Sequence, residues 1–192
     1  MSELRTAAVV LAAGASTRLG EPKQLAAIGG ETLLERAVRT AREAACQPVV
    51  VVLGASYAEV LAGTHGTLGD AIPVINDNWQ KGMSTSIGLG VRTLALVAAG
   101  ADGVVLMACD QPAVTAEHLR ALMAGGEVAA SAYAGRRGVP AYFPAAAFAA
   151  LTELQGDAGA RDLLRGAAAV ELDGGELDVD TAADLDEAQR RF

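Results

Sequence analysis

The stretch that decides the fold is AAVVLAAGASTRLGEPKQL, which spans Ala7–Leu25. It begins as an apolar run, as expected for a strand that is buried on both faces of a parallel sheet. It then becomes a loop of small residues, Ala13–Thr17, followed by Arg18 and Lys23. Small residues let the backbone approach an anion closely, and the two side chains supply the positive charge that a triphosphate needs. The stretch therefore predicts a buried strand that ends in a phosphate-binding loop.

Two familiar phosphate motifs do not fit this loop. In GxxxxGK[ST] the lysine directly follows the second glycine, whereas Lys23 lies three residues after Gly20. The dinucleotide pattern GxGxxG needs several glycines in the turn, and only Gly14 is there. The alternative interpretation is an ordinary strand-to-loop connection in an alanine-rich chain.

The composition limits the classes of function. With 192 residues, the chain is long enough for one α/β domain with a full core, and we expect a single domain over residues 1–192. A net charge of −8 gives no global attraction for nucleic acid. We also expect no membrane span and no signal peptide. Two cysteines and two histidines without ligand spacing argue against a disulfide framework, a zinc site or a histidine triad, and they fit a reducing cytoplasm.

Helical and buried-strand patterns alternate after the loop, and this alternation predicts right-handed βαβ units. The expected fold is a Rossmann-like, mostly parallel sheet with helices on both faces, in a single three-layer domain. Ligands of such sheets bind at the carboxyl ends of the strands, so the Gly14 loop, a loop at Ser84 and Asp110 should meet at one edge. Ser84 is also the expected N-cap of its helix. The elements predicted up to this point are a capped helix Thr32–Ala45, strands Pro48–Leu53, Ile72–Ile75 and Gly103–Ala108, and helices Tyr57–Leu61, Thr85–Ala98 and Thr115–Met123.

The second half of the chain is less regular. A turn over Ala134–Gly138, which carries Arg136 and Arg137, is expected between two strands. A loop over Gln155–Arg161 is expected to enter a helix that reaches about Arg165. The other predicted elements are strands Val128–Tyr133, Val139–Phe143 and Ala168–Leu172, and helices Ala145–Leu154 and Ala182–Arg191.

Two acidic residues are candidates for a magnesium site. Asp110 directly follows an apolar strand, where a carboxylate can hold Mg²⁺ on a triphosphate or can simply cap the next turn. Asp180, just before the last helix, is the candidate second ligand or a helix cap. Asp178 is the neighbouring alternative, and we expect an alternating strand to turn it the other way.

Six segments, in order over nearly the whole chain, resemble the molybdenum cofactor cytidylyltransferases and their close nucleotidyltransferase relatives. These segments are LAAGASTRLGEPKQL, the N-x-x-W-x-x-G-x-S-x-S pattern over Asn76–Ser86, CDQP, GVPAYF, GDAGAR and DVDT. The resemblance implies transfer of CMP from CTP to the terminal phosphate of molybdopterin, with release of pyrophosphate. It also implies Mg²⁺, small-molecule substrates, a cytoplasmic location and a molybdenum hydroxylase that receives the product.

The resemblance also assigns roles to residues. Lys23, Arg18 and Asp110 would be catalytic, and Asp110 with Asp180 would bind the metal. Arg136, Arg137 and Arg161 would meet the acceptor, unless they are solvated or ion-paired surface residues. The residues expected to bind the nucleotide are Leu11, Ala12, Ala13, Gly14, Ser16, Arg18, Lys23, Gly82, Ser84, Ser86 and Asp110.

Three other functions stay open at this point. The related guanylyltransferases tend to carry LAGG where this chain has Leu11-Ala12-Ala13-Gly14, which favours CTP over GTP. A guanylyltransferase on the same cofactor and a sugar-phosphate nucleotidyltransferase are the alternative enzymes. A non-catalytic carrier or insertion chaperone for the molybdenum cofactor is the alternative from another class.

Overall fold

A computed structural model describes residues 5–156 and 160–192 of the chain. Its main sheet has seven strands in the order β5-β4-β1-β6-β8-β7-β9, and β2 and β3 form a separate small hairpin. The strands are β1 (Thr6–Ala12), β2 (Ala27–Ile28), β3 (Glu31–Thr32), β4 (Val49–Leu53), β5 (Ile72–Ile75), β6 (Gly103–Ala108), β7 (Ala129–Tyr133), β8 (Arg136–Pro144) and β9 (Ala168–Glu171). The α-helices are α1 (Leu33–Glu43), α2 (Tyr57–Gly63), α3 (Met83–Val97), α4 (Ala116–Met123), α5 (Phe148–Thr152) and α6 (Ala182–Arg191).

Six strands of the main sheet run parallel, and β8 alone runs antiparallel between β6 and β7. Strand β1 lies inside the sheet between β4 and β6, and all of its residues are buried. Alternate residues of β1 enter two cores, with Val10 packed on the face of α1 and α4 and Val9 on the face of α3 and α5. The apolar run that opens the deciding stretch is thus buried on both faces, and the mostly parallel α/β fold is confirmed.

Side-chain caps fix three of the helix starts. Thr32 and Glu35 form a reciprocal capping box on α1, and Thr115 accepts a hydrogen bond from the backbone N–H of His118 on α4. Thr181 caps α6 in the same reciprocal way with Asp184, which satisfies N–H groups that the first turn leaves free.

The expected cap of α3 is wrong. Gly82, with φ of 110°, stands at the N-cap after a 3-10 turn over Trp79–Lys81, and it makes no side-chain cap bond. Ser84 lies inside the helix and is buried. A serine caps from extended backbone just before a helix, and here the helix has already begun at Met83.

Several predicted boundaries in the second half also need correction. The turn between β7 and β8 is only Ala134 and Gly135, so Arg136 and Arg137 lie in β8. The predicted helix Ala145–Leu154 is a 3-10 turn over Ala145–Ala147 followed by the short α5. The predicted helix to Arg165 is a series of turns over residues 160–166, while residues 157–159 of the GDAGAR segment lie outside the described residues.

A bulge explains why the hairpin differs from the prediction. Between Ala130 and Ser131 the pairing partner on β8 jumps from Ala141 to Gly138, so Val139 and Pro140 are left out of the ladder. The Tyr133 hydroxyl donates to the Val139 carbonyl at 3.0 Å, and the Ser131 hydroxyl donates to the Pro140 carbonyl at 2.6 Å. The two side chains thereby satisfy both carbonyls that the bulge frees.

A third, smaller core joins α6 to the segment that follows the Gly14 loop. Leu177, Val179 and Ala188 pack there against Ile28 and Leu33.

In the described part of the chain, no helix is long and apolar enough to cross a bilayer.

Candidate active site

Four charged side chains meet at the carboxyl edge of the sheet. The Nζ atom of Lys23 lies 2.5 Å from Oδ2 of Asp110 and 2.8 Å from Oδ1 of Asp180. Nη2 of Arg18 lies 2.5 Å from the other carboxylate oxygen of Asp180. The structure therefore brings together the two predicted catalytic cations and both predicted metal ligands, which are as much as 162 residues apart in the chain.

Two backbone hydrogen bonds hold the segments that carry Asp110 and Asp180. Asp110 follows β6 and the buried Cys109, whose N–H donates to the Leu11 carbonyl at the end of β1. The N–H of Val179 donates to the Asp110 carbonyl at 2.9 Å, which ties the segment of Asp180 to the loop after β6. The carboxyl ends of parallel strands lie at one edge of the sheet, so the loops that follow β1 and β6 meet there, as predicted.

The charge balance of the cluster explains the protonation of Lys23. Burial disfavours the charged ammonium, but the Asp110 carboxylate and the hydrogen bonds to Asp110 and Asp180 outweigh burial and raise the pKa of Lys23 above its ordinary value. Lys23 therefore stays positively charged across the physiological pH range.

The small-residue loop leaves an open approach above β1. Gly14 is exposed, and a Cβ atom added to it would meet nothing within 4 Å. Ser16 has a positive φ of 52°, and its hydroxyl accepts the backbone N–H of Lys23 at 3.0 Å. The packing of the protein does not require a glycine at position 14, and the backbone of the loop is accessible from solvent there.

Gln24 is a residue of this loop that the sequence reasoning missed. Its buried side-chain amide donates to the carbonyls of Ala12 at 2.6 Å and Gly14 at 3.2 Å. These two hydrogen bonds hold the backbone of the loop in place from its buried side. The signal in the sequence was an amide directly after Lys23, in a segment that otherwise turns apolar.

The loop before α3 meets the Gly14 loop through a close packing contact. A Cβ atom on Gly54 would lie 2.8 Å from the Cβ atoms of both Ala13 and Trp79, so only glycine lets these segments approach. Trp79 therefore packs closely against Gly54. Ser86, within α3, accepts a hydrogen bond from the Asn76 amide at 2.9 Å. Gly82, Ser84 and Ser86 are all buried at this end of the helix.

A cavity of about 630 Å³ adjoins the cluster. Arginines from two distant segments line it, together with Asp178 and apolar walls that include Met83, Val139 and Leu164. Among the described residues, Arg136 and Arg137 have no carboxylate within 4 Å, although the guanidinium of Arg136 lies 5.3 Å from the centre of the Tyr133 ring. The arginines of the cavity are Arg136, Arg137, Arg161 and Arg165.

The expectation that Asp178 points the other way from Asp180 is wrong. Residues two apart share a face in extended backbone, and it is Leu177 and Val179 that turn into the third core. Oδ1 of Asp178 is buried without a hydrogen-bond partner among the described residues. Burial and the nearby Asp110 carboxylate raise the pKa of Asp178 to about 6. Asp180 alone shares Lys23 with Asp110.

Gln111 and Tyr133 connect the cluster to the arginine cavity, and the sequence reasoning assigned neither of them a role. The amide of Gln111, directly after Asp110, donates to the Tyr133 hydroxyl at 3.2 Å. Tyr133 in turn donates to the Val139 carbonyl in the bulge of β8. A chain of hydrogen bonds thus runs from the loop of Asp110 to the strand that carries Arg136 and Arg137.

The two carboxylates fit a divalent cation. Oδ2 of Asp110 and Oδ1 of Asp180 face one point, because a single ammonium nitrogen lies within 2.8 Å of both. Mg²⁺ is commonly held by one or two carboxylates together with substrate phosphates and water. Within residues 5–156 and 160–192, no group of three or more acidic, histidine or cysteine side chains offers an all-protein metal site.

Comparisons with known proteins show which family the chain belongs to. The family model described as the MobA-like NTP transferase domain matches residues 8–173. The purine catabolism protein PucB of Bacillus subtilis is 34% identical over 95% of both chains. Nicotine blue oxidoreductase of Paenarthrobacter nicotinovorans is 35% identical over 82% of this chain and 80% of its own. A probable molybdenum cofactor guanylyltransferase of Opitutus terrae is 33% identical over 57% of this chain and 50% of its own.

A solved structure also resembles this chain over nearly its whole length. It is the complex of Rv0371c from Mycobacterium tuberculosis H37Rv with manganese, with a TM-score of 0.78 and 30% sequence identity. The match covers 98% of this chain and 100% of that one.

Proposed function

We propose that this chain, which belongs to the MobA-like NTP transferase domain family, transfers CMP from CTP to the terminal phosphate of molybdopterin and releases pyrophosphate. The observation that carries the proposal is the convergence of Asp110 and Asp180 on Lys23, beside a glycine loop that is open to a ligand. Nucleotidyl transfer needs this combination of paired carboxylates, fixed cations and free backbone N–H groups.

The residues of the site match what the reaction demands. The attacking group is a phosphate monoester, which is largely dianionic at neutral pH, so no general base is needed. The site has to align two anions and neutralise the leaving pyrophosphate. Lys23 and Arg18 supply positive charge, and the loop around Gly14 supplies N–H donors. A divalent cation held by Asp110 and Asp180 would supply further charge on the triphosphate.

The arginine cavity is the proposed acceptor site. It adjoins the cluster through Asp178, which lies two residues before Asp180, and it concentrates positive charge on a chain of net charge −8. Arginine pairs with phosphate through two parallel N–H bonds, so Arg136, Arg137 and Arg161 suit a phosphorylated acceptor. The apolar walls suit a flat organic body attached to that phosphate.

CTP is the proposed nucleotide. The support is the alanine at position 13, where related guanylyltransferases tend to carry glycine, and the match of Gly82, Ser84 and Ser86 to a pyrimidine-contacting region. Both features lie on neighbouring loops at the same edge of the sheet, since Ala13 and Trp79 meet across Gly54.

The decisive experiment follows label from α-³²P nucleotides into molybdopterin, using CTP, GTP, ATP and UTP in turn with Mg²⁺. We expect transfer from CTP, and we expect Asp110→Asn to reduce it by about 10²-fold or more, the size typical for loss of a group that stabilises transition-state charge. The control is Asp186→Asn, an exposed acid on α6, which should leave transfer unchanged.

The alternatives are distinguished by this experiment, by its repetition with a sugar phosphate as acceptor, and by calorimetry. Preference for GTP would keep the mechanism and make the product a guanine dinucleotide. Transfer to a sugar phosphate in place of molybdopterin would change the acceptor. No binding of any nucleotide, measured by calorimetry, would overturn the enzyme proposal in favour of a cofactor carrier or chaperone.

A further inference from the structure

We infer that Lys23 is a built-in counter-ion for Asp110 and Asp180, so that the protein binds a divalent cation weakly by itself and binds it well only as a chelate with a triphosphate. The inference rests on the proposed function for the identity of the nucleotide. It adds that the Lys23 ammonium opposes binding of the free metal ion at these carboxylates.

The geometry sets up direct competition for the same oxygen atoms. Nζ of Lys23 lies 2.5 Å from Oδ2 of Asp110 and 2.8 Å from Oδ1 of Asp180, and these are the two oxygens that face one point. The three side chains are 14%, 16% and 33% exposed, respectively, so water screens them little. A second cation cannot share this position, because two positive charges a few ångströms apart repel strongly in such surroundings.

The charges of the cluster are already balanced. Lys23 and Arg18 carry two positive charges, and Asp110 and Asp180 carry two negative ones, all within direct ion-pair distance. A bare divalent cation would add two positive charges, which the single charge of the nearby Asp178 carboxylate does not offset. A metal–triphosphate chelate brings its own anionic oxygens. Lys23 and Arg18 can pair with these oxygens in place of the Asp110 and Asp180 carboxylates.

The Lys23 ammonium needs to move only a short way from the two carboxylates to reach a triphosphate in the loop. Its backbone N–H is held by the Ser16 hydroxyl at 3.0 Å, inside the loop that is open above Gly14. The ammonium sits at the end of a flexible stem of four carbons, so it can turn from the carboxylates toward that loop without a change in the backbone.

The test measures binding of Mn²⁺ without nucleotide, from the electron paramagnetic resonance signal of the free ion. We expect Lys23→Met to bind Mn²⁺ at least about tenfold more tightly than the wild type, within the usual range of coupling between sites. We expect the same variant to bind the Mn²⁺–CTP chelate more weakly, because it has lost a phosphate partner. The two changes have opposite signs, which a general disturbance of the site does not produce.

The chain offers a matched control, because Lys81 is its only other lysine and is exposed. Lys81→Met should leave Mn²⁺ binding unchanged, and adding Asp110→Asn to Lys23→Met should abolish the tightened binding. If Lys23→Met fails to fold, as judged by circular dichroism, Lys23→Gln takes its place. Equal or weaker Mn²⁺ binding by the folded Lys23 variant would overturn the inference.

The same data separate this inference from the proposed function. A wild type that binds no CTP chelate would contradict the proposed function, whereas the comparison of Mn²⁺ binding between wild type and variant needs no nucleotide. Tight Mn²⁺ binding by the wild type alone, equal to its binding in the presence of CTP, would overturn the inference and leave nucleotidyl transfer standing.

Discussion

Replacing Asp178 by asparagine should stabilise the protein, and by more at high pH than at low pH. The folded protein holds this carboxyl group buried beside Asp110, which raises its pKa from the ordinary 3.8 to about 6. An acid whose pKa is raised by folding favours the folded state at low pH, and that contribution is lost as the pH rises through the folded pKa. Asparagine has the same shape and no charge to bury, so the substitution removes the cost of placing an ionised carboxylate there.

The magnitude follows from the two pKa values. With 3.8 in the unfolded chain and about 6 in the folded protein, ionisation of Asp178 destabilises the fold by about 3 kcal/mol at pH 8 and about 1.6 kcal/mol at pH 5. These are upper values, since the side chain keeps some contact with solvent. The gain from Asp178→Asn should therefore be larger at pH 8 by up to about 1.4 kcal/mol.

Urea unfolding at pH 5 and pH 8, in EDTA and without nucleotide, measures this difference through the fluorescence of Trp79, the only tryptophan. The control is Asp173→Asn, which removes an exposed acid from the same segment and should change stability by less than about 0.5 kcal/mol. A gain that is absent, or equal at the two pH values, would refute the argument that burial of this carboxyl destabilises the fold.

Two further predictions concern the core beneath the site. Gly90→Ala should destabilise the protein by about 1–3 kcal/mol in urea unfolding, because the added Cβ would lie 2.5 Å from a methyl carbon of Val9. The control is Gly88→Ala on the same helix, whose added Cβ meets only the flexible end of an arginine and should not destabilise the protein. Equal losses of stability in the two variants would contradict the packing argument. Cys46 and Cys109 should not react with Ellman's reagent (DTNB) at pH 8 until the protein is unfolded, since burial raises the pKa of each thiol to about 12. Rapid labelling of the native protein would show that one of them is accessible.

Features decided by local pattern were predictable from the sequence. The apolar run of β1 and the Thr32–Glu35 capping box depend on neighbouring residues, so their positions were predicted closely. The meeting of Lys23 with Asp110 followed from the rule that parallel strands end at one edge. Asp180 was predicted from its place before the last helix as the second metal ligand, and its ion pair with Lys23 was not predicted.

Features that depend on tertiary contacts were missed. The Ser84 cap failed because Gly82, at a positive φ, links a 3-10 turn directly to α3, and no local preference of serine reveals that. The arginines of β8 were placed in a turn because the bulge at Val139 and Pro140 shifts the register of the hairpin. The role of Gln111 is set by Tyr133, which lies 22 residues away.

The third core has a consequence for how the protein is made. It joins Leu177 and Val179 to Ile28 and Leu33, and it carries Asp180 to Lys23 only after every strand of the sheet has been synthesised. Without this segment the ion cluster lacks Asp180, which is one of its four charged side chains and the partner of both Arg18 and Lys23. The ion cluster can therefore close only once the segment of Leu177 and Val179 has packed against Ile28 and Leu33.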